Sequence, residues 1–581
     1  MAKKHTSPYD AAPWFANYDP GVPHNPTLKP AHMCTLLDNA ANEKPDNTAL
    51  IFRTYRLSYR ELLQQAETVA ANLRKHGVNP GDKVALMMPN MPQMVIAFWG
   101  VLKAGGVVVM TNPLYMEKEL RHQMTDSGAR HMVTLDMCWP KLQALLDVLP
   151  IEKYFVTCLD DETLFPENTE AANVLADSVA FDGKRVLPYK TLLEGEERFR
   201  HPYGNPQTTL ALLQYTGGTT GTPKGVMLSH ANQTANIEQA GYVLHTLKEK
   251  EQIFAALLPL FHVYGLSTCL LMPTFFAAAC VMIPRYDPGE FLGLVKKYKI
   301  SLYPGAPSVY LSLLQHKDFD KYDLSSLRYG ISGSAPIPAA ALERFQKISG
   351  SKIIEGYGLS ESSPITHLTP ALGVQKFGSI GLPLPGTDAR IVDMDVGTLE
   401  MPVGEIGELI IRGPQIMSGY YNLPDETAGA LRNGWLYTGD IAYMDEDGYF
   451  YIVDRKKDMA IVGGYNVYPR EIDDVLLGHP KIKEAVSVAV MHSTRGEMIK
   501  AFVVPKDGMT LTVAEVVGYC RKHLASYKVP RKVDFLEALP RAATGKVLRR
   551  ILRDEERLSA AATKKNSTDS KTSKTPSGEN A

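Results

Sequence analysis

The sequence predicts an α/β protein, a large body followed by a small α+β domain. From about residue 30 to 450, short apolar runs bounded by Gly or Pro alternate with amphipathic helical stretches, the rhythm of strands and helices packed in layers. After "GELIIRGP" and "YFYIVDRKKD" the runs become shorter and more charged, with strand-like "EAVSVAV" and "KAFVVP" accompanying a helical "PREIDDVLLGHP". The 581 residues correspond to roughly four domain-sized units and leave ample chain for a buried core.

Within the body, "KVALMMP", "GGVVVMTNP", "ISLYPGAP" and "YGISGSAP" are the expected strands. "FWGVLKAGGVVV", residues 98–109, reads as a helix end, a Gly pair and a buried strand, the repeating unit of a parallel sheet. "GLSTCLLMPTFFAAACVMI", residues 265–283, has no charge and is long enough to span a membrane. Pro273 at its centre, and the β-rich segment that follows and stops at Pro284, predict instead a buried helix and then a buried strand. The last stretch, "ATKKNSTDSKTSKTPSGENA", has no large apolar residue and is expected to be disordered. No internal repeat is visible.

Sixty-two Lys and Arg balance 63 Asp and Glu, which gives no electrostatic reason to expect nucleic acid as a partner. The cysteines, Cys34, Cys138, Cys158, Cys269, Cys280 and Cys520, show no C-x-x-C spacing, against both a disulfide scaffold and a zinc site. The N-terminal "MAKKHTSPYDAAPWFANYDP" has a Lys pair without an apolar segment behind it, so no secretory signal is expected. Together these point to the cytoplasm.

"LLQYTGGTTGTPKGVMLSH", residues 212–230, places a Gly- and Thr-rich loop between two apolar runs. A Walker loop, G-x-x-x-x-G-K-[ST], is excluded: Gly221 lies three residues before Lys224, and Gly225 rather than a hydroxyl residue follows the lysine. No G-x-G-x-x-G is present, so the dinucleotide fingerprint is excluded too. What remains is a run of backbone N–H groups and hydroxyls ending in a cation, sufficient parts for a phosphate cradle.

"YTGGTTGTPKGVML" resembles the signature loop of the adenylate-forming superfamily of acyl-CoA synthetases, adenylation domains and luciferases. Six further stretches resemble that superfamily's motifs in the same order: "LPLFHVYG" (258–265), "ISGSAPIP" (331–338), "EGYGLSESSP" (355–364), "GWLYTGDIA" (434–442), "IVDRKKDMAIVGGYNVYPREID" (452–473) and "LPRAATGKVLRR" (539–550). The resemblance covers about residues 30–555. It implies an N-terminal extension (1–30), a body of several subdomains with mixed sheets flanked by helices (31–453), a hinge (454–458), a small mobile α+β domain (459–560) and a tail (561–581).

The family's reaction joins a carboxylate to the α-phosphate of ATP, releases pyrophosphate, and passes the acyl group to a thiol. A carboxylate is ionised at neutral pH, so the first step needs no general base; the obstacle is repulsion between anions. One cation about 4 Å from the developing charge supplies roughly 4 kcal/mol at an effective dielectric of 20, on the order of a thousandfold in rate. The resemblance gives this work to Lys224, at the β- and γ-phosphates, and to Lys546, at the α-phosphate and the carboxylate. It assigns ATP to Thr216, Gly217, Gly218, Thr219, Thr220, Gly221, the wall Gly333, Ser334 and Ala335, and the run Glu355, Gly356, Tyr357 and Gly358. Tyr357 covers the adenine, Ser360 meets the α-phosphate, and Asp440, assisted by Arg455, takes the ribose hydroxyls. Thr216 and Glu361 are the implied Mg2+ ligands, matching that ion's preference for hard oxygen and retained water.

In the second step the thiol, with a pKa near 8.5, is already a few per cent ionised, so access limits more than basicity. The family's answer is rotation of the small domain about a hinge, here Lys457. That exchanges the Lys546 face for one on which Gly463, Gly464 and Tyr465 meet CoA. His262 is implied to stand between acyl pocket and nucleotide. Some long-chain members carry a Trp gate four residues further on; Leu266 occupies that position.

The whole-chain match is nearest to bacterial long-chain fatty-acid CoA ligases, which makes fatty acid, ATP and CoA the expected partners. It leaves peripheral contact with the inner membrane face as a variant of the cytoplasmic location. The alternatives are an aryl-CoA (coumarate-like) ligase and an acyl-AMP ligase that loads a carrier protein. A luciferase-like oxygenase and a membrane fatty-acid transporter share the motifs but differ in needing oxygen or resisting a salt wash.

Overall fold

In the computed structural model, the described residues are 7–161, 164–165, 175, 177–216, 223–462, 465–492, 496–542, 545–556 and 558. The large body is built on two extended mixed sheets flanked by helices. The nine-stranded sheet runs from the edge strand Leu382–Pro383 through Ile365–Leu368, Lys352–Gly358, Tyr329–Ser332, Leu302–Gly305, Ile253–Ala256 and Ala279–Met282 to the hairpin Thr48–Phe52 and Tyr55–Ser58. Its central pairs are parallel and its edge pairs antiparallel. The eight-stranded sheet contains the expected strands Lys83–Met87 and Val107–Met110 side by side, both parallel to their neighbours.

Helix Pro92–Lys103 is buried along its whole length between layers, so its sequence, "PQMVIAFWGVLK", is apolar all round rather than amphipathic. It ends in Lys103, whose fully buried ammonium pairs with Asp38 at 2.7 Å. Residues 265–283 form the predicted helix-then-strand: Val263–Phe275 is one continuous helix, widened to a π-turn over Ser267–Leu271, and Ala279–Met282 is a strand. Among the described residues no helix is long and apolar enough to cross a membrane.

A third sheet of five strands, among them Gly407–Arg412, Trp435–Met444 and Phe450–Arg455, carries the chain to the end of the body. The first described residues are strapped onto it. Trp14 is buried there, and the Asp19 carboxylate accepts the Leu372 and Gly373 N–H groups at 2.9 and 2.6 Å. The small domain follows, its fourth sheet formed by Ala460–Val462, Tyr465–Val467, Ile482–His492, Gly496–Pro505 and Lys532–Phe535. One apolar cluster of that domain joins Ile472, Leu476, Ile499, Ala501, Val516 and Cys520. The expected tail, 561–581, lies outside the described residues.

Gly265 fixes the turn that presents His262. A Cβ there would lie 2.2 Å from the Pro259 carbonyl oxygen and 2.9 Å from that of Leu258, both main-chain atoms that have no side-chain freedom with which to yield. Gly265→Ala is therefore expected to destabilise the fold by about 2 kcal/mol or more, as overpacking of a core does. Gly293→Ala, on a helix where a Cβ meets nothing within 4 Å, should be neutral or slightly stabilising. Urea midpoints of the two variants check the contrast.

Candidate active site

The Gly- and Thr-rich loop is the tip of an antiparallel hairpin. Thr216 ends strand Leu210–Thr216, Lys224 begins strand Lys224–Ser229, and the two residues are register partners. Gly217, Gly218, Thr219, Thr220 and Gly221 lie outside the described residues. Lys224 Nζ pairs with Glu426 at 2.5 Å and lies 5.1 Å from the centre of the Tyr420 ring. The Tyr420 hydroxyl donates to Glu361 Oε1 at 2.8 Å, so one tyrosine bridges the loop cation to the expected metal ligand.

Glu361 sits in a single helical turn, Ser360–Ser362, directly after strand Lys352–Gly358. That turn is held from the helix His230–Val243, whose N-terminus is capped by Ser229 and Asn232. Asn236 grips the main chain of Ile365 on both sides, donating to its carbonyl at 2.6 Å and accepting its N–H at 3.0 Å. Met417 N–H donates to the Glu361 carbonyl at 2.8 Å. Glu355, on the strand before the turn, is pushed up to about 7 by burial.

Gly356 and Gly358 have a packing reason to be glycine. A Cβ on Gly358 would stand 1.8 Å from the Pro364 carbonyl oxygen, and one on Gly356 would stand 2.9 Å from Leu368. Gly333 faces Tyr264 in the same way at 3.1 Å, whereas Ser334 and Ala335 are exposed, Ser334 with φ +72°.

Asp440 lies inside strand Trp435–Met444, opposite Arg455 in the register of strand Phe450–Arg455, and is 2% exposed. Its two oxygens are shared: Oδ2 accepts the Tyr357 hydroxyl at 2.5 Å and Oδ1 pairs with Arg455 Nε at 3.0 Å. Burial, then the Asp440 charge, drives the Tyr357 hydroxyl far above its ordinary range, so it stays a donor. Arg455 also feels Glu361, which joins the Asp440–Arg455 pair to the loop-side cluster.

His262 N-caps the helix that begins at Val263, its Nδ1 accepting the Tyr264 N–H at 3.2 Å. Burial first, and the Lys546 cation second, lower its pKa to about 4. The ring is therefore neutral at pH 7, with its proton on Nε2. Lys546 thus reaches the body from the small domain. Its loop rests there through Gly545 (φ +81°), where a Cβ would lie 2.7 Å from Ser308 Oγ. Lys546 is solvent-accessible yet ringed by charged groups, as a side chain in a cleft must be. Arg455 foremost, then burial, lower it to about 8, with Lys457 adding and Asp440 opposing. Lys457 is also lowered to about 8, by burial and then Arg455. Tyr465 of the small domain is 59% exposed and stacks on Tyr527 at 4.6 Å; Gly463 and Gly464 beside it lie outside the described residues.

The structure thus brings together Thr216, Lys224, Glu361, Tyr357, Asp440, Arg455, His262, Lys457 and Lys546, and leaves Tyr465 apart. Two family descriptions match this chain: "AMP-binding enzyme" over residues 37–421 and "AMP-binding enzyme C-terminal domain" over 471–546. The chain belongs to the AMP-binding enzyme family. It is 43% identical over 549 residues to a long-chain-fatty-acid–CoA ligase of Bacillus subtilis (strain 168), covering 94% of this chain and 98% of that protein. It is 33% identical over 523 residues to a probable 4-coumarate–CoA ligase 1 of Dictyostelium discoideum, at 88% and 93% coverage. The solved structure of ATP-bound MatB from Rhodopseudomonas palustris superposes with a TM-score of 0.79 at 28% identity, covering 90% of this chain and 98% of that one.

Sequence reasoning missed Tyr420 and Glu426 in this AMP-binding enzyme. Neither lies in a quoted motif; the only signal was an acid in the first turn of a short helix after "SGYYNLP". The electrostatic picture yields a direct measurement. The Lys546 cation should be lost as pH rises through about 8, some two units earlier than for an ordinary lysine. Because the first cause is a neighbouring cation, Arg455→Gln should move that midpoint upward. Carbon-detected NMR titration of lysine ε-carbons reads both, and an unmoved midpoint in the variant would remove Arg455 as the cause.

Proposed function

We propose that this AMP-binding enzyme is an AMP-forming fatty-acid CoA ligase. It activates a medium- to long-chain fatty acid with ATP to acyl-AMP, releasing pyrophosphate, and transfers the acyl group to CoA to give acyl-CoA and AMP. The observation that carries the reading is the arrival of Lys546, from a separate domain, in the cleft beside His262 and the Asp440–Arg455 pair. The chain-length class rests on the name of the Bacillus subtilis relative.

In the first step a carboxylate oxygen bonds to the α-phosphorus as the bond to the bridging oxygen breaks and pyrophosphate leaves with that electron pair. Lys546 offsets charge on the carboxylate and α-phosphate, and Lys224 does so on the leaving group, exchanging Glu426 for phosphate oxygens. Neutral His262 donates from Nε2 without adding a further charge. Asp440 has lone pairs left for ribose hydroxyls beyond the bonds to Tyr357 and Arg455. Among the described residues no group of three His, Cys, Asp or Glu side chains is placed to hold a metal ion by itself, while Glu361 accepts one bond and retains its second oxygen. That donor set suits Mg2+, which keeps water and takes phosphate oxygens as its other ligands, and which would neutralise charge on the polyphosphate. Thr216 and Glu361 would hold it.

In the second step the thiolate attacks the acyl carbonyl and AMP departs with the electrons of the C–O bond. Lys546 has no part in this, and its loop covers the approach. We take the small domain (459–560) to turn about Lys457 within the hinge 454–458, bringing Gly463, Gly464 and Tyr465 to the CoA arm.

AMP release measured across acids from acetate to oleate, with and without CoA, tests the assignment. Long acids should be preferred and AMP with pyrophosphate should be the nucleotide products; ADP would overturn the reaction class. The aryl reading, favoured by the coumarate-ligase relative, requires a preference for coumarate when it is added to that panel. A second expectation separates the half-reactions. Lys546→Ala should lose on the order of 10³ in acyl-AMP formation yet still convert supplied acyl-AMP and CoA to thioester at near the wild-type rate. Gly464→Leu should do the reverse. Rapid-quench assays of both steps check this, and equal losses in Lys546→Ala would remove the rotating-domain assignment.

A further inference from the structure

The main chain crosses from body to small domain through residues 454–458, and each side of the crossing is fastened to a different body. On the near side, Lys456 donates its N–H to the Gly439 carbonyl at 2.9 Å and pairs through Nζ with Glu408 at 2.9 Å. On the far side, Arg553, from the helix over 549–556, donates to the Lys457 carbonyl at 3.2 Å and to the Asp458 carboxylate at 2.8 Å. Between these fastenings lie the backbone torsions of Lys457, crossed locally by the turn bonds from Asp458 and Met459 N–H to the Arg455 carbonyl.

One buried side chain bridges the two bodies. Asp454 is on the body's strand Phe450–Arg455 and 3% exposed. Beyond the N–H of its neighbour Arg455, it accepts Arg470 N–H at 2.9 Å and Arg549 Nη1 at 3.3 Å, both from the small domain. Arg470 lies in the first turn of helix Pro469–Leu477, where N–H groups lack intrahelical partners and the helix dipole favours an anion, so Asp454 caps that helix from the other body. Arg549 also pairs with Asp473 of the same helix, and Arg470 Nη1 donates back to the Ile452 carbonyl at 3.0 Å. Asp454 lies before Lys457 in the chain and Arg470 and Arg549 lie after it, so a turn of the small domain about Lys457 alters the geometry of both bonds.

We infer that Asp454 is a latch: it holds the small domain in the orientation that presents Lys546 to His262 and Asp440, and its strength divides the enzyme between its two half-reactions. The inference rests on the rotating-domain reading above. Asp454 acts through Arg470 and Arg549, and is a positioning residue.

The population of this orientation is measurable by cross-linking. A Cβ on Gly545 lies 3.6 Å from that of Ser308, within disulfide reach, and the six native cysteines are all buried. In a Ser308→Cys/Gly545→Cys background, adding Asp454→Asn should slow oxidative cross-linking about tenfold, the weight of one charged hydrogen-bond set. Adding Arg470→Ala, which removes the side-chain bond to Ile452 and the cation near Glu355 and Asp474 but keeps the main-chain N–H to Asp454, should slow it about threefold and serves if Asp454→Asn does not fold. In the enzyme without added cysteines, Asp454→Asn should form acyl-AMP about tenfold more slowly while transfer from supplied acyl-AMP to CoA is unchanged or faster; a merely structural role would lower both. If the oxidised pair transfers acyl groups as fast as the reduced pair, the rotation fails and the latch with it. If oxidation blocks transfer but neither Asp454→Asn nor Arg470→Ala changes the cross-linking rate, the latch alone is overturned.

Discussion

The cations that serve an anionic substrate must stand close together before that substrate arrives, and like charges in a partly dry cleft repel. Arg455 and Lys457 both lower Lys546, and Arg455 lowers Lys457. The fold answers by pairing three of the neighbouring cations with acids, each from a different strand or helix: Glu426 for Lys224, Asp440 for Arg455, Glu408 for Lys456. Each of these pairs is a tertiary contact, so the site exists only when the third sheet, the hairpin and the crossing segment are assembled around it. On the proposed reading, binding of polyphosphate exchanges one anion for another, a smaller perturbation than bringing unscreened cations together.

The same constraint explains which parts of the site were legible in the sequence. Lys224, Asp440, Arg455 and Lys546 stand in motifs whose order identifies the family. The alternation of apolar runs and helices gave the body its class, because strands buried on both faces read as continuous apolar segments. Their resting partners are not legible. Tyr420 is far along the chain from the Glu361 it bonds, and Glu426 is one of two acids in the first turn of the short helix Pro424–Ala430; the pairing of strand Gly419–Tyr420 with Lys224–Ser229 brings them in. Gly356 and Gly358 show the converse, since a glycine in a nucleotide motif looks like room for a ligand and here makes room for a neighbouring strand.

Helix His230–Val243 is a support that no motif announces. It places amides at Asn232, Asn236 and Gln239 against main-chain groups of three separate segments, Pro414–Ile416, Ile365 and Pro385. These segments flank Glu361 and precede Tyr420. A buried amide used in this way carries a donor and an acceptor at fixed separation and no charge, so it sets loop geometry without disturbing the electrostatics of the nearby cations.

The division of the chain follows from where apolar area is buried. The two apolar clusters of the small domain, one around Ile472, Ile499 and Val516 and the other around Val488, Phe502 and Leu552, are built wholly from its own residues. Its described bonds to the body are polar: Arg470 to Asp454 and Ile452, and Arg549 to Asp454. Moving such a domain exposes little hydrocarbon, whose burial is worth roughly 25 cal/mol per Å2, and exchanges protein hydrogen bonds for water at a net of about 1 kcal/mol each, more where a charge is involved. A boundary of that kind suits two orientations of similar free energy. On the rotating-domain reading, an apolar one would fix Lys546 in the cleft and keep the thiol out.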